Sequence, residues 1–195
     1  MDHQGTQERP YHHGDLRRAI LDAAERMLVE EGIDAVTIRA CARVAGVSPA
    51  APIHHFGSLK DLLAAVAARG FGQLVARLDA DLSREVHSGT SALIGAYVAF
   101  AASSPRLFDL MWREDVLNPV QPDLVAARGL ALARLRAHAG EASDGRLSAI
   151  RTWSLAHGLA TLLLHGRMVT ALGGEGLERV EDFVALAYDP GFAGG

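Results

Sequence analysis

Residues 37–56 read Thr37-Ile38-Arg39-Ala40-Cys41-Ala42-Arg43-Val44-Ala45-Gly46-Val47-Ser48-Pro49-Ala50-Ala51-Pro52-Ile53-His54-His55-Phe56. The Thr37 hydroxyl can accept from the free amides of a first helical turn, so a helix starts there. Gly46, which turns left-handed at little cost, ends it. Ser48 opens a second helix with Pro49 in its first turn, where a missing N–H costs nothing. Pro52 follows so closely that this second helix must be short, ending near Phe56-Gly57. Ile38, Cys41, Ala42 and Val47 give an apolar inner face, and Ala42 and Ala45 are small enough for the two helices to cross closely. Two short helices about a tight turn make a helix-turn-helix, whose second helix enters the DNA major groove. A short hairpin inside any helical bundle has the same local pattern.

Working outward, Leu16, Ile20, Ala23, Ala24, Met27 and Leu28 recur at spacings of three and four and predict a helix over about 15–31, stopped by Gly32. Downstream, Ser58 caps a long helix reaching about residue 86, with Leu62, Leu63, Val66, Phe71, Leu74, Val75 and Leu78 on its buried side. Further helices are expected at 90–103, 105–117, 122–139, 146–170 and 176–187, separated by Pro and Gly breaks. No useful alternating pattern of a strand occurs. The expected fold is all-α: an N-terminal three-helix helix-turn-helix domain over 12–75, then a larger helical regulatory and dimerisation bundle over 76–188. Residues 1–11 and 189–195 read as flexible ends.

Hydrophobic residues make up 49% of the chain and aromatics 6%, an Ala- and Leu-rich balance that favours helices. No apolar run approaches the roughly 20 residues of a membrane span. The polar N-terminus lacks the apolar stretch of a signal peptide, and the single cysteine, Cys41, suits a reducing compartment. A cytoplasmic protein is expected. The net charge of −4 does not announce a nucleic-acid binder. Its distribution says more: from Val36 to Lys60 there is no acid, while Arg39, Arg43 and Lys60 are basic. A phosphate-facing surface needs such a local absence of negative charge.

The segment over 12–75 resembles the N-terminal domain of TetR-type repressors. The similarity lies in the opening helix from His13, the Gly32 stop, Val36-Thr37-Ile38-Arg39, Ala45-Gly46-Val47-Ser48, His55-Phe56 and Leu62-Leu63. The resemblance implies that Thr37 and Arg39 touch phosphate or a base edge from the first of the two helices. It also implies that Ser48, Pro49, Ala50, Ala51, His54 and His55 lie at or near the groove on the second. Two positions depart from the family's pattern. Ile53 stands where a phosphate-binding Tyr is frequent, and Leu59 stands where Lys is frequent, with Lys60 one position on. Lys60 is therefore expected to reach a phosphate from a shifted position, and more weight falls on Arg39, Arg43, the helix N-terminus and the N-terminal arm.

The second half, with Trp153-Ser154-Leu155-Ala156-His157-Gly158 and an upstream Ser104-to-Trp112 segment, resembles a subset of that family named for a Trp-His-Gly signature. This implies a helical regulatory domain with no fixed ligand chemistry. A mainly apolar effector is expected between helices 90–117 and 146–170, lined by Phe108, Met111, Trp112 and Trp153 with His157, His165 or Arg113 as polar anchors. The competing reading of His157 is a core histidine stacked on Trp153, one helical turn away. Helices 146–170 and 176–187 are apolar on more than one side, which predicts a four-helix homodimer interface. The expected partners are double-stranded operator DNA, a small-molecule effector and a second copy.

Other function classes lack support in the sequence. No Gly-x-Ser-x-Gly elbow, phosphate loop or His-Glu-x-x-His pair is present, so neither an enzyme nor a cofactor is expected. The adjacent pairs His12-His13 and His54-His55 cannot converge on one metal from a single helix, and no metal site is expected. A helical adaptor that kept the fold and lost its DNA contacts is the remaining alternative, and salt-dependent duplex binding separates it from a regulator.

Overall fold

The computed structural model describes residues 13–82, 90–138 and 145–166. Among them the order is α1 (His13–Glu31), a 3-10 turn (Ile33–Ala35), α2 (Ile38–Ala45), α3 (Ala51–Phe56) and α4 (Leu59–Leu82). There follow α5 (Thr90–Ser103), α6 (Pro105–Met111), α7 (Pro122–His138) and α8 (Gly145–Leu164), and no strand. The fold is all-α, as the composition and periodicity predict. The expected helix at 176–187 and both chain ends lie outside the described residues, as does the last part of the helix expected at 146–170.

The head is α1 to α3 against the first turns of α4. The three- and four-residue stripe of α1 buries Ile20, Ala23, Ala24, Met27 and Leu28. Thr37 caps α2 as expected, its side chain accepting from the Ala40 amide at 3.2 Å. Gly46 ends that helix at φ 68°, and the Val47 amide closes back on the Ala42 carbonyl at 3.0 Å. A residue with a Cβ would be strained there.

Two boundaries differ from those expected. The second helix of the motif starts at Ala51, not Ser48. Pro52 has no N–H to donate to the Ser48 carbonyl, so a regular turn cannot include Ser48. Instead the Ala51 amide reaches Ser48 in a tighter turn at 3.0 Å, and the first α-type bond runs from His54 to Ala50. The second difference is α6, expected to run to 117, which stops at Met111. Leu117 is buried and Asn118 bonds back to α4, and these tertiary contacts fix residues 112–121 as a loop.

Helix α4 passes from the head into the body. Ser58 caps it, accepting from the Asp61 amide at 3.1 Å, and all of its expected inward residues from Leu62 to Leu78 are buried. In the body α4 packs chiefly on α7 and α5 on α8. A Cβ at Gly70 would lie 2.8 Å from the Met111 Sδ, so the missing side chain is what lets α6 close on α4. The small residues of α8 face inward: Ala149, Ala156 and Ala160 are buried. Its exposed apolar residues are Leu147, Ile150, Trp153 and Leu162, and all but Trp153 fall on a separate stripe with Ser154 and Gly158. No helix among the described residues is long and apolar enough to cross a membrane.

Candidate functional site

The helix-turn-helix presents an outer surface. Thr37, Arg39, Ser48, Pro49, Ala50 and His54 are exposed, and His55 is partly so. Arg43, one turn after Arg39 on α2, is exposed as well. Ile53 stands 46% exposed on α3, so an apolar side chain occupies this surface where water would otherwise be preferred. The His54 and His55 rings meet edge-on at 5.4 Å.

Two expected contact residues sit differently. Ala51 is buried in the core of the head, a consequence of the later start of α3, and does not face outward. Lys60 is exposed, but its Nζ donates to the Asp115 carbonyl at 3.0 Å and so turns toward the body.

That lysine belongs to a set of contacts clamping head to body. The Asn118 amide nitrogen Nδ2 donates to the Asp61 Oδ1 at 2.6 Å, and the Asn118 backbone donates to the Lys60 carbonyl at 3.3 Å. The Ser58 hydroxyl donates to the other Asp61 oxygen. These bonds, Ser58 first and Asn118 second, hold the Asp61 carboxyl below the usual carboxylate range. Arg17 of α1 lies over the Phe56 ring at 4.9 Å and pairs with Asp123 of α7 at 2.7 Å, joining the end of α3 to the start of α7. Arg106 of α6 donates to the Val29 carbonyl at 2.7 Å.

On the body side of the same loop is a cavity of about 230 Å³. Phe71, Leu74 and Leu78 of α4 and Leu93 and Tyr97 of α5 form two walls. Arg128, Ala131, Leu132 and Leu135, spaced along one face of α7, form a third. Trp153 and Ala156 of α8 and Trp112, which terminates α6, close it. Of the expected ligand residues, Trp112 and Trp153 line this space, with ring centroids 5.8 Å apart. Phe108 and Met111 are buried core beside it, Met111 being occupied by its contact with Gly70. His165 is exposed at the end of α8, its Nδ1 2.7 Å from the Thr161 carbonyl, and Arg113 is exposed and paired with Asp115, so neither anchors this cavity. The cavity is thus lined by α4 and α7 as well as by α5, Trp112 and α8.

His157 is held behind the aromatic wall. Its ring centroid lies 4.7 Å from that of Trp112 and 5.6 Å from that of Phe108. Its Nδ1 is 3.0 Å from the Tyr97 hydroxyl. Burial pushes the histidine pKa down and the tyrosine pKa up. With the imidazole neutral, its tautomer decides which of the two groups donates across this contact. Arg128, Phe71 and Tyr97 are among the cavity residues that sequence reasoning missed. A lone Arg within the Arg128-Ala131-Leu135 stripe of α7 was the available signal.

Comparison with known proteins bears on both halves of this arrangement. Residues 20–66 match the family model described as bacterial regulatory proteins, tetR family. Residues 90–185 match the tetracyclin repressor-like C-terminal domain. The chain is 47% identical over 58 residues to the HTH-type transcriptional regulator BetI of Rhizobium meliloti, a match covering 30% of this chain and 29% of that one. It is 29% identical over 157 residues to the uncharacterized HTH-type transcriptional regulator Rv0681 of Mycobacterium tuberculosis, covering 78% and 72% of the two chains. A solved structure of a protein of unknown function from Rhodococcus sp. RHA1 is similar at a TM-score of 0.72 and 34% identity, covering 92% of this chain and 95% of that one. With the head matched by one tetR model and most of the remainder by its C-terminal counterpart, the chain belongs to the tetR family of bacterial regulatory proteins, which bind DNA and regulate transcription.

Proposed function

We propose that this protein is a ligand-controlled repressor, acting in the cytoplasm as a homodimer on a partly palindromic operator. The observation that carries the reading is the continuity of one short segment. Trp112 walls the cavity, and within the next few residues Asp115 and Asn118 grip Lys60 and Asp61 at the base of the head. A molecule that displaces Trp112 moves the loop that holds the head. For such a molecule to change DNA occupancy, its affinity must differ between the two head positions; a tenfold effect corresponds to about 1.4 kcal/mol of coupling.

In this reading Thr37, Arg39, Arg43, Ser48, Pro49, Ala50 and His54 meet the duplex, with His55 at the margin. Lys60 serves the clamp instead of a phosphate. The exposed stripe of Leu147, Ile150 and Leu162 on α8 meets its symmetry mate. The Trp153-to-Gly158 segment supports reading the regulatory half as one of the Trp-His-Gly subset.

The test is selection of genomic fragments by the purified chain, followed by salt titration on the recovered duplex. Affinity falling steeply with salt, and a dimer at micromolar concentration by light scattering, are the expected results. A monomer, or duplex binding indifferent to salt, contradicts the reading.

A further inference from the structure

We infer that the cavity takes an apolar molecule carrying a single carboxylate, bound through Arg128 and the Trp112 indole. The inference rests on the reading of this cavity as the effector site and specifies the ligand's chemistry.

The walls are aliphatic and aromatic; of the lining side chains that carry a donor, Tyr97 meets His157, Trp153 bonds to Tyr97, and Arg128 and Trp112 are the others. The Nε atoms of Arg128 and Trp112 are both buried, and neither has a hydrogen-bond partner. Arg128 makes one long bond, from Nη2 to the Met111 carbonyl at 3.3 Å, and its guanidinium stands 5.8 Å from the Phe71 ring centroid. Among the described residues, carboxylates pair with Arg17, Arg18, Arg69, Arg113 and Arg134, and none pairs with Arg128. A half-buried cation without a counter-ion, beside a second unsatisfied donor, is an arrangement that proteins seldom leave uncompensated.

The chemistry of the missing partner follows. Only an acceptor answers both donors, and only an anion answers the guanidinium. A carboxylate fits the guanidinium fork through two parallel charge-assisted bonds. With one cation present and walls otherwise apolar, a doubly charged phosphate would remain half neutralised. A cationic molecule would repel Arg128, and a neutral one would leave it unpaired. Among the other lining residues, Ala131 and Ala156 are small, and Phe71, Tyr97 and Trp153 supply aromatic surface for an apolar body.

The experiment compares phenylbutanoate with phenylbutanol on the full chain, read by tryptophan fluorescence. The two tryptophans, Trp112 and Trp153, both line the cavity, so the signal is local. The acid is expected to bind at least tenfold more tightly than the alcohol. Arg128→Met should reduce the acid to the level of the alcohol and leave the alcohol unchanged. Arg128→Lys, which keeps the charge and loses the fork, should retain part of the preference. Equal binding of acid and alcohol, binding of neither, or a preference that survives Arg128→Met each overturns the inference. Operator release is measured separately: an Arg128-dependent preference for the acid without any change in DNA affinity upholds the carboxylate site and removes its role as an effector site.

Discussion

The Asn118 side chain donates to the Asp61 carboxylate across 2.6 Å, and Asp61 sits in the first turn of α4, the helix shared by head and body. The bond ties the loop that follows Trp112 to the base of the DNA-binding head. Its partner on the other side is Ser58, the cap of α4, so one carboxylate serves both helix initiation and the junction.

Removing this bond should therefore affect both stability and coupling. Asn118→Ala is expected to cost about 1.5–3 kcal/mol, the range for hydrogen bonds to a charged group, as a shift of the urea midpoint. Because the bond holds the Asp61 pKa down, its contribution is present above the ordinary carboxylate range and is lost as pH falls through the lowered value. The Asp61 carboxyl should titrate at higher pH in the variant, an outcome followed by NMR. An unmoved titration would show that Asn118 does not act through Asp61.

On the outer face, Arg39 is exposed, so its truncation leaves the head folded. Arg39→Ala should weaken operator binding by about 1–3 kcal/mol, with Arg43→Ala following the same direction and lowering the salt dependence. Gel shift against salt measures both. An unchanged dissociation constant in a folded variant contradicts the docking of α2.

How far the sequence discloses this machine differs by level. The head is legible because its signals are local: Thr37 caps within three residues, Gly46 turns within one, and the α1 stripe repeats every turn. The register of α3 is less so, since Pro49 and Pro52 each suit a first turn, and the ladder bond that Pro52 cannot make decides between them. The end of α6 is set from a distance. Nothing local stops a helix between Trp112 and Leu117, and the loop exists because Leu117 is buried and Asn118 finds Asp61. The cavity is the least legible part. Trp112 and Trp153 stand out as large aromatics, but their distance from Arg128 depends on how α7 packs on α4, which no spacing within α7 reveals.

His157 offers a pH test of the aromatic wall. Burial lowers its pKa in the folded chain, so the unfolded chain takes up the proton first. The sign is that the stability it contributes is present above about 6.5 and is lost as pH falls through and below that value. The urea midpoint should fall between about pH 7.5 and about pH 5.5, and His157→Gln should flatten that fall. If the variant retains the full decline, other groups carry it, and the burial of His157 is not what makes the fold sensitive to acid.

The cavity itself can be filled from α7. Ala131 lines it, is only partly buried, and stands one turn from Arg128 on the same face. Ala131→Leu adds three carbons to a space of about 230 Å³, so the larger side chain enters existing room without displacing a packed neighbour. Burying that added surface should stabilise the fold by about 2 kcal/mol, at roughly 0.8 kcal/mol per methylene, where overpacking would destabilise it. The same side chain occupies the place of a ligand's apolar body. Binding of any cavity ligand should weaken, while operator affinity in its absence stays within twofold, because the head surface is untouched. Thermal unfolding, ligand titration and gel shift on one preparation separate these effects. A variant that is destabilised shows the space to be tighter than described. One that is stabilised yet still released from DNA by the same ligand at the same concentration shows that the switch lies elsewhere.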